Sequence, residues 1–572
     1  MSTGSTGSFI PKWQLAVILG APIAIGLSYF YYRKHTAAVE DADKSKKKLS
    51  NIKGQTISID GDDKSNVHVA PEEEPKKTPL EQATQYKNEG NVNFKKGLYE
   101  EAIKLYSLAI DTCPRTSQTD LSTFYQNRAA AFEQLKKWAE VRDDCTKALE
   151  LNSRYVKALH RRSRAHHNLG ELIPSLEDIT ATGILEGFQN NSTLAYADRV
   201  LKEIGQNDAK KAMLDRKAMV PSETFILTYF SSFTQDPIQV IKFSEDQKQN
   251  PKGFVRAKVA FEKKKFDDVL DACTEEIDAD GQYKHEAKLL RGTFYLLMGK
   301  TPEAAEDLDD LISNENVNNQ IKVNALIKKA SLAVQGEEAQ LGFNIFAVAE
   351  QIDPKNADIY HQRGQVYTLI DQIDLAVKEF KTAVELAPKQ GMSYVQKCYA
   401  EYRQAITNQS QEALFNVINE FKKAIEKFPD CIESYSVFAQ VLTEQGQYDQ
   451  ADMFFEKSIA MAPKTASLYV HRGIMQLQWN GDVEKAIGYM NNGIQIDEKC
   501  ELAYETLGTI EVQRGNLENA VQLFSKAIIL AKSEAEMVHL YSLKNAASAQ
   551  INVAKKLGID MSSLSAFASG NM

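Results

Sequence analysis

A 34-residue period in the C-terminal part of the chain leaves few folds open. From Ala357 to Gln390, the residues Tyr360, Gly364, Tyr367, Ala376, Phe380, Ala383 and Pro388 stand at positions 4, 8, 11, 20, 24, 27 and 32 of the unit. The frame returns from Ile432 with Tyr435, Ala439, Gly446, Tyr448, Ala451, Phe455 and Pro463. It returns again from Glu501 with Tyr504, Leu507, Gly508, Gly515, Ala520, Phe524 and Ala527. Each position has a mechanical reason. Small residues at 8, 20 and 27 let two antiparallel helices approach closely, aromatic rings at 4, 11 and 24 fill the gaps, and proline stops the second helix. One such pair cannot bury its own apolar face, so units of this period stack into a solenoid.

These are the positions of the tetratricopeptide pattern, and fainter copies extend it. They start near Asn250 (Ala257, Phe266, Cys273), His285 (Gly292, Gly299, Ala304, Leu308), Val323 (Ala330, Phe346, Ala349, Pro354) and Ala466 (Gly473, Ala486, Met490). The copy from Gly391, with Tyr394 and Cys398, carries a seven-residue insertion, since Pro429 lies 41 residues after Pro388. Upstream, Ala83 opens a clean copy with Tyr86, Gly90, Gly97, Tyr99, Ala102, Tyr106, Ala109 and Pro114; Ser122 and Val156 open two more. The expected fold is an all-α superhelical solenoid of about eleven tetratricopeptide repeats in two blocks. Three repeats occupy 79–186, and eight repeats plus a capping helix over Ser533–Leu557 occupy 250–557. The connector, 187–249, loses the period. It holds a predicted helix around Tyr196–Met219 and the apolar run Phe225–Phe230, and reads either as a plug packing the blocks together or as a hinge.

The 29 glycines and 15 prolines in 572 residues fit a helical chain, falling below the roughly 12% of average usage. The net charge of −9 argues against nucleic acid as a partner. Six cysteines at 113, 145, 273, 398, 431 and 500 form no Cys-x-x-Cys pair, which points away from zinc and disulfides and toward a reducing compartment. The N-terminal end departs from the rest. From Trp13 to Tyr32 there are 20 residues without a charge, enough for a helix of about 30 Å that crosses a bilayer once. Lys12 alone precedes the run, whereas Arg33, Lys34, Lys44, Lys46, Lys47, Lys48 and Lys53 follow it. The positive-inside rule then keeps the C-terminal part in the cytosol, with the tail 1–12 on the other side. A cleaved signal peptide is the competing reading, and with it a luminal chain using the sequons at Asn190, Asn191 and Asn408. Residues 33–78 read as a flexible charged linker. At its end, Thr78-Pro79-Leu80-Glu81 supplies an N-cap, a proline at the first helical position and an acid three residues after the cap.

In a superhelix of helix pairs, side chains at positions 2, 5, 9 and 12 of the first helix tend toward the concave face. The front block places Lys87 and Asn91 there, four residues apart, with Asn127 on the second repeat and Lys157 and Arg161 on the third. Cations with asparagine amides in one groove suit carboxylates: the cations supply charge, and the amides donate directed hydrogen bonds. In the rear block the equivalent face carries Leu289, Leu296, Ile327, Val395, Tyr399, Tyr402, Val470 and Ile474, an apolar groove for a hydrophobic or amphipathic segment. Nothing reads as an enzyme or a metal site. His285-Glu286 is followed by Leu289 rather than a second histidine, Gly299-Lys300-Thr301 lacks the earlier glycine of a phosphate loop, and His166-His167 has no partners at ligand spacing. No cofactor is expected.

The stretches Lys87-Asn88-Glu89-Gly90-Asn91, Tyr125-Gln126-Asn127-Arg128 and Lys157-Ala158-Leu159-His160-Arg161 resemble the dicarboxylate clamp of co-chaperone tetratricopeptide domains. That resemblance implies that Lys87, Asn91, Asn127, Lys157 and Arg161 grip the C-terminal Glu-Glu-Val-Asp tails of cytosolic heat-shock 70 and 90 chaperones. The whole chain is similar to the seventy-kilodalton import receptors of the mitochondrial outer-membrane translocase, close paralogues included. The similarity implies a single-pass outer-membrane protein with residues 1–12 in the intermembrane space. It further implies other translocase subunits as partners, and precursors with internal targeting signals, such as carrier proteins, bound by the rear block. A membrane-anchored co-chaperone or scaffold on the endoplasmic reticulum is the alternative.

Overall fold

A computed structural model describes residues 77–336 and 338–559. The expected tail 1–12, anchor 13–32, linker up to residue 76 and C-terminal tail from residue 560 lie outside the described residues. Among the described residues every regular element is helical, and no helix is long and apolar enough to cross a membrane.

Three helix pairs come first: α1 (Pro79–Lys95) with α2 (Tyr99–Thr112), α3 (Gln118–Gln134) with α4 (Trp138–Leu151), and α5 (Val156–Asn168) with α6 (Leu172–Leu185). A long α7 (Asn191–Asp215), then α8 (Glu223–Ser231), α9 (Pro237–Val240) and α10 (Glu245–Gln249) make up the connector. Eight further pairs follow. They are α11 (Gly253–Glu262) with α12 (Val269–Asp278), α13 (Lys284–Leu297) with α14 (Thr301–Ser313), α15 (Asn319–Gln335) with α16 (Ala339–Ile352), and α17 (Ala357–Leu369) with α18 (Ile373–Leu386). After these come α19 (Gly391–Thr407) with α20 (Gln411–Lys427), α21 (Ile432–Glu444) with α22 (Tyr448–Met461), α23 (Ala466–Asn480) with α24 (Val483–Ile496), and α25 (Glu501–Gln513) with α26 (Leu517–Leu530). A last helix, α27, spans Glu534–Leu557. Eleven pairs thus stand where the periodicity places eleven repeats, an all-helical tetratricopeptide solenoid.

The local chemistry explains the boundaries. Thr78 caps α1 in a capping box: its hydroxyl accepts from Glu81 N at 3.3 Å, and the Glu81 carboxylate accepts from Thr78 N at 2.8 Å. Those hydrogen bonds from Thr78 hold the Glu81 carboxyl below its ordinary pKa. The turn inside a pair puts one residue in the left-handed region, and at Lys136, Lys264, Asp371 and Gln409 that residue is not glycine. The insertion in the eighth pair is divided between its two helices, α19 and α20 being 17 residues each where α17 and α18 have 13 and 14. Seven residues are about two turns at 3.6 residues per turn, so each helix gains one turn without rotating its packed face out of register.

Close approach within a pair depends on the small residue at position 8. A Cβ on Gly364 would lie 2.9 Å from Phe380 Cε1, in a ring that is fully buried. Gly364→Ala is expected to destabilise the rear repeats by about 1–2 kcal/mol through this overpacking. Thermal denaturation checks it, and an unchanged midpoint would mean that the ring retreats freely.

The described chain divides into two compact units, and the division is not the one expected. The front unit holds 77–207 together with Arg514–Val521 and 542–559; the rear unit holds Asp208–Gln513 with Gln522–Tyr541. Two of the dividing points fall inside α7 and α27, so neither the connector 187–249 nor the domain 250–557 is one body. In the front unit Tyr196, Val200 and Ile204 of α7 pack on Leu176 and Ile179, and Ala549 of α27 joins them. Val553 and Leu557 enter the core of Phe124, Leu149, Leu159 and Ile184, while Asn552 Nδ2 donates to Glu177 Oε1 at 2.9 Å. The expected capping helix therefore caps the rear repeats only through its first turns, where Met537, Val538 and Leu540 pack with Leu502 and Leu507.

In the rear unit the connector is built into the core. Ile226, Tyr229, Phe230, Phe233 and Ile238 are buried among Phe254, Phe294, Leu326 and Ile359. Polar bonds align it against first helices: Lys258 Nζ donates to Ile238 O at 2.9 Å, and Gln390 Nε2 donates to Ser231 O at 3.2 Å.

Candidate functional site

The five cationic and amide side chains of the front unit come from its three first helices. Tyr106 of α2 donates its hydroxyl to Asn91 Oδ1 at 2.7 Å, and Asn127 Nδ2 points at the same oxygen at 3.4 Å. Two donors on one carbonyl oxygen fix the amide, leaving the Asn91 nitrogen as the end that can donate to a ligand. Burial pushes the Tyr106 phenol up to about 12, so it stays a donor at neutral pH. On α5, Arg161 Nε donates to Glu133 Oε2 at 2.8 Å, its Nη1 stands 3.5 Å from Gln126 O, and its Nη2 makes no hydrogen bond among the described residues. Arg164 takes the other Glu133 oxygen at 2.6 Å. One buried carboxylate thus holds two guanidiniums, and a net positive charge remains at the face. Lys87 is half-buried and Lys157 exposed, and neither makes an ion pair among the described residues. Asn91, Asn127 and Arg161 are thereby set by neighbours, whereas the two lysines are free to follow a ligand.

Spacing on the helices had not pointed to Glu133, which lies two turns beyond Gln126 on α3 and bonds across to α5. A second unread feature was legible as a pattern. Arg128 and Asp144, Arg162 and Asp178, Arg291 and Asp307, and Arg363 and Glu379 stand at positions 7 and 23 of their repeats, 16 residues apart. Arg128, for one, is bidentate: Nε and Nη2 each donate to Asp144 at 2.7 Å. Its Nη1 reaches back to Ser107 Oγ of the preceding pair at 2.8 Å, as Arg162 Nη1 reaches Thr146 Oγ1 at 3.2 Å. These arginines staple each pair internally and to the one before, and so are spent on structure although Arg128 and Arg162 adjoin Asn127 and Arg161. The two adjacent histidines are also committed: His166 Nδ1 lies 2.5 Å from Glu171 Oε2, and His167 contacts Tyr196 OH at 3.0 Å and Glu203 Oε2 at 2.8 Å.

The rear groove requires a correction. Of the residues expected to line it, Leu289, Leu296, Ile327, Val395, Tyr399, Tyr402 and Val470 are all buried, and only Ile474 is partly exposed. Leu289, Leu296 and Ile327 share the core that encloses the connector; Val395, Tyr399 and Tyr402 form a second cluster; Val470 and Ile474 belong to a third. Leu289, Leu296, Ile327, Val395, Tyr402 and Val470 stand at positions 5 and 12, which point between neighbouring first helices, so these apolar side chains meet the next repeat rather than water; Tyr399 and Ile474 stand at position 9. Cys113, Cys145, Cys273 and Cys398 are likewise small buried residues, and burial pushes the Cys145 thiol up to about 12.

Fold and site together define a tetratricopeptide-repeat solenoid protein with a cationic face on its front unit. The tetratricopeptide repeat family matches residues 357–390 and 432–465. The human mitochondrial import receptor subunit TOM70 is 44% identical over 571 residues, covering 96% of this chain and 93% of the human protein. Its rat counterpart is 43% identical, covering 97% and 94%. The crystal structure of yeast Tom70 aligns at 22% identity with a TM-score of 0.48, covering 83% of this chain and 99% of that one. The chain belongs to the TOM70 family of mitochondrial import receptors.

Proposed function

We propose that this import receptor sits in the mitochondrial outer membrane by the anchor 13–32, with its helical units in the cytosol. Its front unit docks the acidic C-terminal tails of heat-shock 70 and 90 chaperones. Its rear unit receives precursors with internal targeting signals, such as carrier proteins, for transfer to the translocase pore. The observation that carries the docking reading is the Asn91–Asn127–Tyr106 bond set: it spends one oxygen and leaves amide N–H groups on first helices that also carry Lys87, Lys157 and Arg161, and amides with cations are the donor set two carboxylates require. Any ATP hydrolysis in this scheme is the chaperone's, and the chain itself acts by binding alone.

Crosslinking the full chain in isolated mitochondria tests the division of labour. A Glu-Glu-Val-Asp peptide bearing a photoreactive group is expected to label 79–186, and an arrested carrier precursor to label the rear repeats. Precursor adducts confined to 79–186, or an endoplasmic reticulum distribution of the chain, would overturn the proposal.

A further inference from the structure

The turn inside a pair carries its left-handed residue at position 15 of the repeat, where Gly97, Gly170, Gly299 and Gly446 stand alongside Lys136, Lys264 and Asp371. The three non-glycines have φ of 57°, 60° and 62°, so the turn itself does not require glycine. Nor does space require it at Gly97, Gly170 or Gly446, where a Cβ would meet nothing within 4 Å. Gly299 differs. A Cβ there would lie 2.0 Å from Lys532 O, between α26 and α27, and 3.1 Å from Arg216 Nη1, just past α7. Glycine at 299 thus answers to a contact between pair five and the far end of the rear unit. Repeats of a solenoid ordinarily touch only their neighbours, and this contact returns the row of pairs upon itself.

Two apolar cores meet at this boundary without merging. Pair five packs with the connector through Leu289, Phe294 and Leu308, whereas Ala209 and Met213 of α7 pack with Leu502, Leu507 and Met537. The bonds that cross are polar. Arg216 Nη1 donates to Met298 O at 2.8 Å, Lys499 Nζ to Val220 O at 2.8 Å and Thr224 Oγ1 to Lys464 O at 3.3 Å, while Lys532 Nζ lies 4.0 Å from the centre of the Phe225 ring. Arg216 Nε is buried without a partner, and burial pushes the guanidinium pKa down, with Glu536 and Glu501 opposing. Partly exposed polar bonds between separate cores are the least costly place for a unit to part. Parting has a use: the apolar side chains of the first helices are buried in the closed unit, and an apolar client reaches them only when repeats separate.

We propose that this boundary is a seam at which the rear unit opens, that Arg216 is its bolt, and that opening there precedes entry of a precursor segment. This rests on the reading of the rear unit as the precursor-binding part and supplies its regulation.

The test uses three variants of the full chain. Gly299→Lys is a change that the turn accepts at Lys136 and Lys264 but the Lys532 carbonyl does not; Arg216→Met keeps the apolar stem and removes the donor. Gly446→Lys is the control, the same substitution where a Cβ meets nothing. Amide hydrogen exchange in the last turn of α26 and the first turn of α27 is expected to rise about tenfold in both seam variants and to stay unchanged in the control. A radiolabelled carrier precursor is expected to associate about tenfold faster with the seam variants, because association through a minor open state scales with its population. Should Gly299→Lys fail to fold, Arg216→Met decides alone. Exchange unchanged in the seam variants, or equally fast in the control, would overturn the seam. Faster exchange with unchanged precursor association would overturn its role in entry, and in both cases the receptor reading stands as long as the parent chain binds the precursor. A parent chain that binds none would overturn both.

Discussion

Arg161→Ala is expected to weaken binding of a free Glu-Glu-Val-Asp peptide about a hundredfold, the scale seen when one partner of a buried hydrogen-bonded charge pair is truncated. Two effects combine. The variant loses the only clamp guanidinium, and it leaves Glu133 with Arg164 alone, so the positive excess that the two arginines hold over one carboxylate disappears. The remaining lysines attract an anion but do not orient it, since a flexible ammonium lacks the planar fork of a guanidinium. The fold should be intact, because the staples Arg128–Asp144 and Arg162–Asp178 are untouched. Calorimetric titration of the full-length variant, with circular dichroism as the folding control, checks this. Unchanged affinity would remove Arg161 from the site, and Arg128→Ala makes the contrast: it strands the buried Asp144 and should cost stability.

Lys328→Met is expected to destabilise the rear unit by about 3–5 kcal/mol, the cost of leaving one member of a buried ion pair uncompensated. Lys328 and Asp236 are both inaccessible, 3.1 Å apart, and the ammonium also bonds Asn324 and lies over the rings of Phe230 and Phe233 at 5.8 and 5.1 Å. Burial depresses the Lys328 pKa, opposed chiefly by Asp236. The carboxylate cannot simply leave, because its Oδ1 caps α9 by accepting from Ile238 N at 2.8 Å. Adding Asp236→Asn to the same chain removes the stranded charge and keeps that cap, so the double variant should recover much of the loss. Urea denaturation with hydrogen exchange read on α8 and α15 measures both. A single variant as stable as the parent, or a double variant no better than the single, would show that the pair does not hold the connector in place.

The two variants probe different kinds of information. The placement of Lys87, Asn91, Asn127, Lys157 and Arg161 on first helices was legible because helix geometry converts a spacing of four into a shared face, and the repeat converts position into direction. Lys328 was not legible as anything but a solvated lysine, since its partner is 92 residues away in a segment with no period. Glu133 falls between these cases. It sits on a helix that could be drawn from the sequence, yet its importance comes from bonding across to α5.

The sequence alone therefore determined the eleven pairs, the capping residues at Thr78–Glu81 and the presence of a seven-residue insertion in the eighth pair. All of these depend on contacts within a repeat or between neighbours, which recur every 34 residues. Tertiary structure decided what the repeat does not encode: that α7 and α27 are each divided between units, that Ile226, Tyr229, Phe230, Phe233 and Ile238 are core of the rear unit, and that Leu289, Tyr399 and Val470 are buried. Periodicity specifies which side of a helix faces inward. Whether that side meets water, a neighbouring repeat or a distant stretch of the same chain depends on an aperiodic segment, whose packing is settled only when all its partners are in place.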